Sequence, residues 1–147
     1  IRNGLKYHDT FGYIAGLSSA MILEKMDTDD DSSPMFFEKK TFLEGVFGDL
    51  SQIHDCEINP EWIAKKLKEE KTEFPKMYLA CGLDDPLLPP NRKFRDAMSE
   101  LGVNVTYEEG PGAHEWDFWN RYIKKVLDWL PLEKDSKEGM NSGNVGL

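Results

Sequence analysis

The chain has 147 residues, of which 39% are hydrophobic and 12% aromatic. These values suit one folded domain with a sizeable core and are those of a globular chain, not of a disordered one. A net charge of −9 argues against nucleic acid and anionic membrane surfaces as partners, since both would repel it.

No run approaches the ~18 consecutive apolar residues of a spanning helix, and no signal or transit peptide is visible. The first residue is Ile1, not methionine, so the true start of the protein is expected further upstream. The two cysteines, Cys56 and Cys81, give no disulfide framework. They read as unpaired thiols in a reducing compartment, and the chain is expected to be cytoplasmic.

In chain order, Ile1 to Tyr7 reads as the last turns of a helix, with Ile1 and Leu5 on one face. Phe11 to Leu17 (FGYIAGL) is apolar on both faces and of strand length, which predicts a central parallel strand. Residues 18–59 are irregular and read as a cap-like insertion with a short helix. Within it Asp27, Asp29, Asp31 and Glu38 fall where a calcium loop carries ligands. Ser32 stands where that loop needs glycine, however, and Pro34 interrupts it, so a solvated acidic loop is expected. His54-Asp-Cys-Glu57 has metal-friendly side chains without ligand spacing to a second cluster, and reads as loop. No metal and no cofactor is expected.

Asn59-Pro60 opens a helix with an N-cap and a proline at the first position, and Ile63 and Leu67 form its apolar stripe. Lys76 to Gly82 (KMYLACG) is a second strand. Asn91 to Leu101 is a helix with Phe94, Ala97, Met98 and Leu101 on one face, closed by Gly102. The β-like run Val103 to Glu109 is a third strand, and Asp117 to Leu130 a helix with Phe118, Tyr122, Ile123, Val126, Leu127 and Leu130 on a broad stripe. Residues 132–147 read as a polar, disordered tail. The alternation of elements predicts an α/β fold, a mostly parallel sheet with helices on both faces, over residues 1–131.

Functional groups in such sheets sit in loops at the carboxyl ends of strands. Two candidates fall there. Asp84 and Asp85 lie in the turn after the second strand, and His114 lies in the glycine-rich loop Gly110-Pro-Gly-Ala-His after the third. An acid and a histidine are two members of a nucleophile–base–orienter triad. The remaining member is open on the residues alone: Gly16-Leu-Ser-Ser-Ala20 mimics a nucleophile elbow at Ser18, in the right order with Asp85 and His114.

Three segments, KYHDTFGYIAGLSSA, YLACGLDDPL and TYEEGPGAHEWDFWNRYIKKVLDWL, resemble the C-terminal half of α/β-hydrolase serine esterases of the esterase D, feruloyl esterase and tributyrin (acetyl) esterase-like group. The resemblance implies that His114 is the general base and that Asp85 orients it; the group usually has Glu-Asp where this chain has Asp84-Asp85. It implies that the nucleophilic serine and the oxyanion-hole loop lie before Ile1, and that Ser18 is structural. Short acyl esters, such as acetyl groups on sugars or simple alcohols, would be the substrates. Trp116, beside the histidine, would wall the substrate pocket. The rival reading is a non-catalytic half-domain that associates with a missing N-terminal half or with another copy of itself.

Overall fold

The computed structural model describes residues 1–23 and 39–132. The acidic stretch with Asp27, Asp29, Asp31 and Glu38, and the tail from residue 133 on, lie outside the described residues. Helix α1 (Arg2–Lys6) is followed by strand β1 (Tyr13–Leu17), helix α2 (Lys40–Phe47) and a 3-10 turn (Leu50–Asp55). Helix α3 (Pro60–Glu69), strand β2 (Lys76–Gly82), helix α4 (Leu88–Glu100), strand β3 (Val105–Gly110) and helix α5 (Trp116–Trp129) complete the order.

The three strands form one parallel sheet in the order β1-β2-β3. Its centre is β2, where every residue from Met77 to Gly82 is buried. A parallel strand covered on both faces reads as such a continuous apolar run. On one face Ile14, Met77 and Leu79 pack with Leu5 of α1, Ile63, Ala64 and Leu67 of α3, and Phe94 and Met98 of α4. On the other, Tyr78 and Ala80 pack with Phe118, Tyr122 and Val126 of α5. Helices therefore cover both faces, as the α/β reading expects.

Among the described residues β1 is an outer strand with alternating burial, Ile14 and Gly16 inside and Tyr13 and Ala15 exposed. Its more open face meets the end of α5, where the Tyr13 and Trp129 rings lie edge to face at 5.5 Å. The irregular region carries a small core of its own, Leu43, Leu50 and Ile53, backed by Phe47 and Ile58. Asp49 starts the 3-10 turn by accepting from the Ser51 amide at 2.9 Å.

Local chemistry sets the helix starts. The Asn59 carboxamide accepts from the Glu61 amide at 2.9 Å and donates to the His54 carbonyl at 2.8 Å, so it both caps α3 and ties it to the preceding turn. α4 begins at Leu88, three residues before the expected Asn91. Pro89 and Pro90 occupy its first turn, where a missing amide hydrogen costs nothing. Asn91 is consequently inside the helix, and it is fully buried.

β3 is fastened to both layers. Glu108 accepts from the Tyr78 hydroxyl at 2.8 Å and pairs with Lys125 of α5. Glu109 is held by Arg92 of α4 through two bonds of 2.8 and 2.6 Å. Burial, with Glu108 beside it, raises the pKa of Tyr78 above the ordinary tyrosine value, so this hydroxyl stays a donor.

The apolar stripe of α5 is narrower than its sequence suggests. Phe118, Tyr122 and Val126 are buried, with the first two rings stacked at 4.2 Å, whereas Ile123 and Leu127 are 44% and 50% exposed. Phe118→Ala should therefore lower stability by about 3–5 kcal/mol. Ile123→Ala should change it by about 0.5 kcal/mol or less. Urea denaturation midpoints of the two variants check the contrast, and equal losses would place Ile123 in the core.

Candidate functional site

β2 and β3 end side by side, with Gly82 opposite Gly110 in the register. The chain turns after each, and the two turns stay joined. The Leu83 amide donates to the Gly110 carbonyl at 2.9 Å, and the Asp84 amide to the Gly112 carbonyl at 3.0 Å. Two glycines permit this approach. A Cβ on Gly82 would lie 2.2 Å from the Gly112 carbonyl oxygen, and Gly112 itself has φ +130. The first is a packing requirement and the second a backbone conformation that L side chains avoid.

Within this frame Asp85 points inward and Asp84 outward. The Asp85 side chain is 0% exposed, and its Oδ2 lies 3.1 Å from His114 Nδ1. Its other oxygen accepts from the Leu87 amide at 2.8 Å, an Asx turn that leads into α4. Burial opposes ionisation of Asp85. Hydrogen bonds from Ser18, from the Leu87 amide and from His114 outweigh it and leave the pKa below its ordinary value. The group is therefore a carboxylate at neutral pH. A carboxylate only accepts, so the neutral His114 ring carries its proton on Nδ1, which puts the lone pair on Nε2.

His114 follows Gly112-Ala113 and is partly open to solvent, its side chain 46% exposed. The Trp119 ring meets the imidazole edge to face at 4.8 Å. Trp116 meets Trp119 in the same manner at 5.1 Å and is 75% exposed. The loop is held by Arg121, which donates to the Pro111 carbonyl, and by the Glu115 carboxylate, which accepts from the Ala113 amide at 3.1 Å.

The structure thus brings Asp85 and His114 together and sets Trp116 on the rim beside them. Ser18 does not stand there as an exposed hydroxyl: it is 5% exposed and accepts from the Trp119 indole at 3.2 Å. Cys81 is a buried free thiol whose pKa burial, foremost, pushes up to about 11. Among the described residues no three His, Cys, Asp or Glu side chains are grouped to hold a metal, and no helix is long and apolar enough to cross a membrane. A separate cleft of about 640 Å³, lined in part by Ile1, Ser19, Met21, Phe47 and Ile58, contains neither Asp85 nor His114.

Sequence reading did not identify two neighbours of the site. Asn91 donates to the Ser19 carbonyl at 2.7 Å and to the Leu87 carbonyl at 2.7 Å, joining the turn after β1 to the turn that carries Asp85. Pro89-Pro90 as a helix-start signal would have placed it inside α4. The Trp119–Ser18 bond joins residues 101 positions apart, and no local pattern announces it.

No family model matches the chain. It is 38% identical over 135 residues to an acetyl esterase of Caldicellulosiruptor saccharolyticus, an alignment covering 92% of this chain and 51% of that protein. Among solved structures it is similar to a substrate-bound, fluorophosphonate-binding serine hydrolase of Staphylococcus aureus, with TM-score 0.71 and 28% identity over 87% of this chain and 48% of that one. It is also similar to an S-formylglutathione hydrolase of Staphylococcus aureus, with TM-score 0.70 and 29% identity, again over 87% and 48%. A ferulic acid esterase at 22% identity and TM-score 0.57 shares the fold.

Gly82→Ala should lower stability by about 1–3 kcal/mol, because the methyl group meets backbone that cannot rotate away; thermal melts check this, and a melt unchanged from the parent would remove the close approach. The lowered Asp85 pKa sets a pH dependence. The folded state binds this proton less readily than the unfolded state. The stabilisation is therefore fully present above the ordinary aspartate value of 3.8 and is lost as pH falls through the lower folded value. Melting temperature should fall over that window, and Asp85→Asn should flatten the fall.

The chain spans about half the length of the relatives it matches; in fold it is part of an α/β-hydrolase, and in sequence it resembles the serine esterases built on that fold.

Proposed function

We propose that the chain is the C-terminal portion of a serine carboxylic-ester hydrolase acting on short-chain, acetyl-type acyl esters. The observation that carries the reading is the pairing of a fully enclosed carboxylate with His114 Nδ1 at 3.1 Å, with the side chain that carries Nε2 half open to solvent. The sequence likeness to an acetyl esterase supports the substrate class.

In this reading the nucleophilic serine and the oxyanion donors come from polypeptide preceding Ile1. His114 Nε2 takes the serine proton as the hydroxyl attacks the ester carbonyl, then returns it to the leaving alcohol. The acyl-enzyme so formed is released by water, with the same nitrogen as base. Asp85 stays ionised throughout. It holds the ring in one tautomer and stabilises the imidazolium that forms. Trp116 walls the substrate pocket, its exposed ring offering a flat apolar surface next to the reacting centre. The small substrate needs no metal or cofactor in this chemistry.

A polypeptide that extends this chain upstream through a glycine-flanked serine should hydrolyse p-nitrophenyl acetate. His114→Ala in that protein should lower kcat about 10⁴-fold with a small change in KM. Full activity in the variant would remove the base. The 147-residue chain alone should show little turnover; substantial turnover abolished by Ser18→Ala would instead assign the nucleophile to Ser18.

A further inference from the structure

Three observations meet at Ser18, where the chain leaves β1. Its backbone is strained: with φ +51 it is, with Lys71, one of two non-glycine residues in the left-handed region among those described. The turn is nonetheless held firmly. The Ser18 amide donates to the Ala80 carbonyl at 2.8 Å, and buried Asn91 donates to the Ser19 carbonyl at 2.7 Å. The side chain is enclosed, and its Oγ accepts from Trp119 Nε1 at 3.2 Å.

An indole N–H can only donate. The Ser18 oxygen is therefore the acceptor in that bond, and the hydroxyl's own hydrogen remains for another group. The Asp85 carboxylate and the Cys81 thiol are the titratable groups within its reach. Of these the carboxylate is much the stronger acceptor. Trp119, at the other end of the bond, stands edge-on to the His114 ring. One hydroxyl is thus bonded to the indole beside the imidazole and has the imidazole's carboxylate partner within its reach.

We propose that Ser18 is a positioning residue of the acid–histidine pair, its hydroxyl bridging the Trp119 indole and the Asp85 carboxylate so that both are fixed about His114. The proposal deepens the ester-hydrolase reading and rests on it. It also accounts for the strain. Glycine would adopt the same turn with ease, yet it would take away the acceptor of the part-buried Trp119 indole N–H and one of the donors to the buried Asp85 carboxylate. The lowered pKa of Asp85 is in keeping with this: burial works against ionisation, and the Ser18 hydroxyl is among the donors that offset it.

The test uses NMR of the 147-residue chain, following the Asp85 side-chain carboxyl carbon, the His114 ring nitrogens and the Trp119 indole N–H. Ser18→Ala removes the hydroxyl and keeps the strain; Ser18→Gly removes the hydroxyl and relieves it. In both variants the Asp85 midpoint should move up, because the charged form has lost a donor. The indole resonance should shift, and neutral His114 should no longer hold a single Nδ1–H tautomer. If Ser18 served the turn alone, Ser18→Gly would titrate like the parent chain and melt higher, and the proposal would be overturned. Ser18→Gly retains this power even where Ser18→Ala fails to fold. Should Asp85 and His114 titrate independently in the parent chain, the hydrolase pairing falls together with the proposal. Coupling that is present in the parent and unmoved in both variants overturns the role of Ser18 and leaves the pairing standing.

Discussion

Two backbone hydrogen bonds, from the Leu83 amide to Gly110 and from the Asp84 amide to Gly112, carry the parallel ladder past the ends of its strands. Adjacent strands of a parallel sheet always deliver their following loops to the same rim, but loops ordinarily diverge there. Here they remain zipped for one further turn, because Gly82 has no Cβ to hold the second loop away. That constraint puts a carboxylate and an imidazole, 29 residues apart, within bonding distance without relying on either long side chain or flexible linker.

The two layers around β2 serve the same end. α4 follows directly from the acid turn and packs on one face; α5 follows directly from the histidine loop and packs on the other. Each of the two turns is therefore anchored on both sides, by a strand before it and a partly buried helix after it. Rigidity at the site comes from the core, and little of it has to come from the loops. The Asx turn of Asp85 belongs to this economy: the oxygen not facing His114 starts the descent into α4.

Much of this was legible in the residues. The apolar run KMYLACG announced a strand covered on both faces, and its bounds are those observed. Asn59-Pro60 announced the start of α3. The placement of Asp85 and His114 after successive strands followed from alternation and from the glycines, and they do meet. Other features were not legible, for identifiable reasons. Helical periodicity says which residues share a side, not how wide the opposing surface is; hence Ile123 and Leu127, in phase with Phe118 and Tyr122, remain exposed. The buried Asn91 and the Trp119–Ser18 bond depend on contacts across the fold, where a single polar residue in an apolar pattern gives no hint of its partner.

Glu108 and Glu109 are consecutive on β3 and so face opposite sides of the sheet, one toward Lys125 and the other toward Arg92. In the described sheet β3 is an outer strand, with one row of amides and carbonyls lacking a ladder partner. Placing anchored charges on both sides of such a strand makes it a poor template for a passing chain, because an incoming strand would have to dehydrate carboxylates and cations above and below the plane at once. The same two ion pairs that secure the strand leading into the histidine loop thereby guard that margin against unwanted pairing during folding and at high concentration.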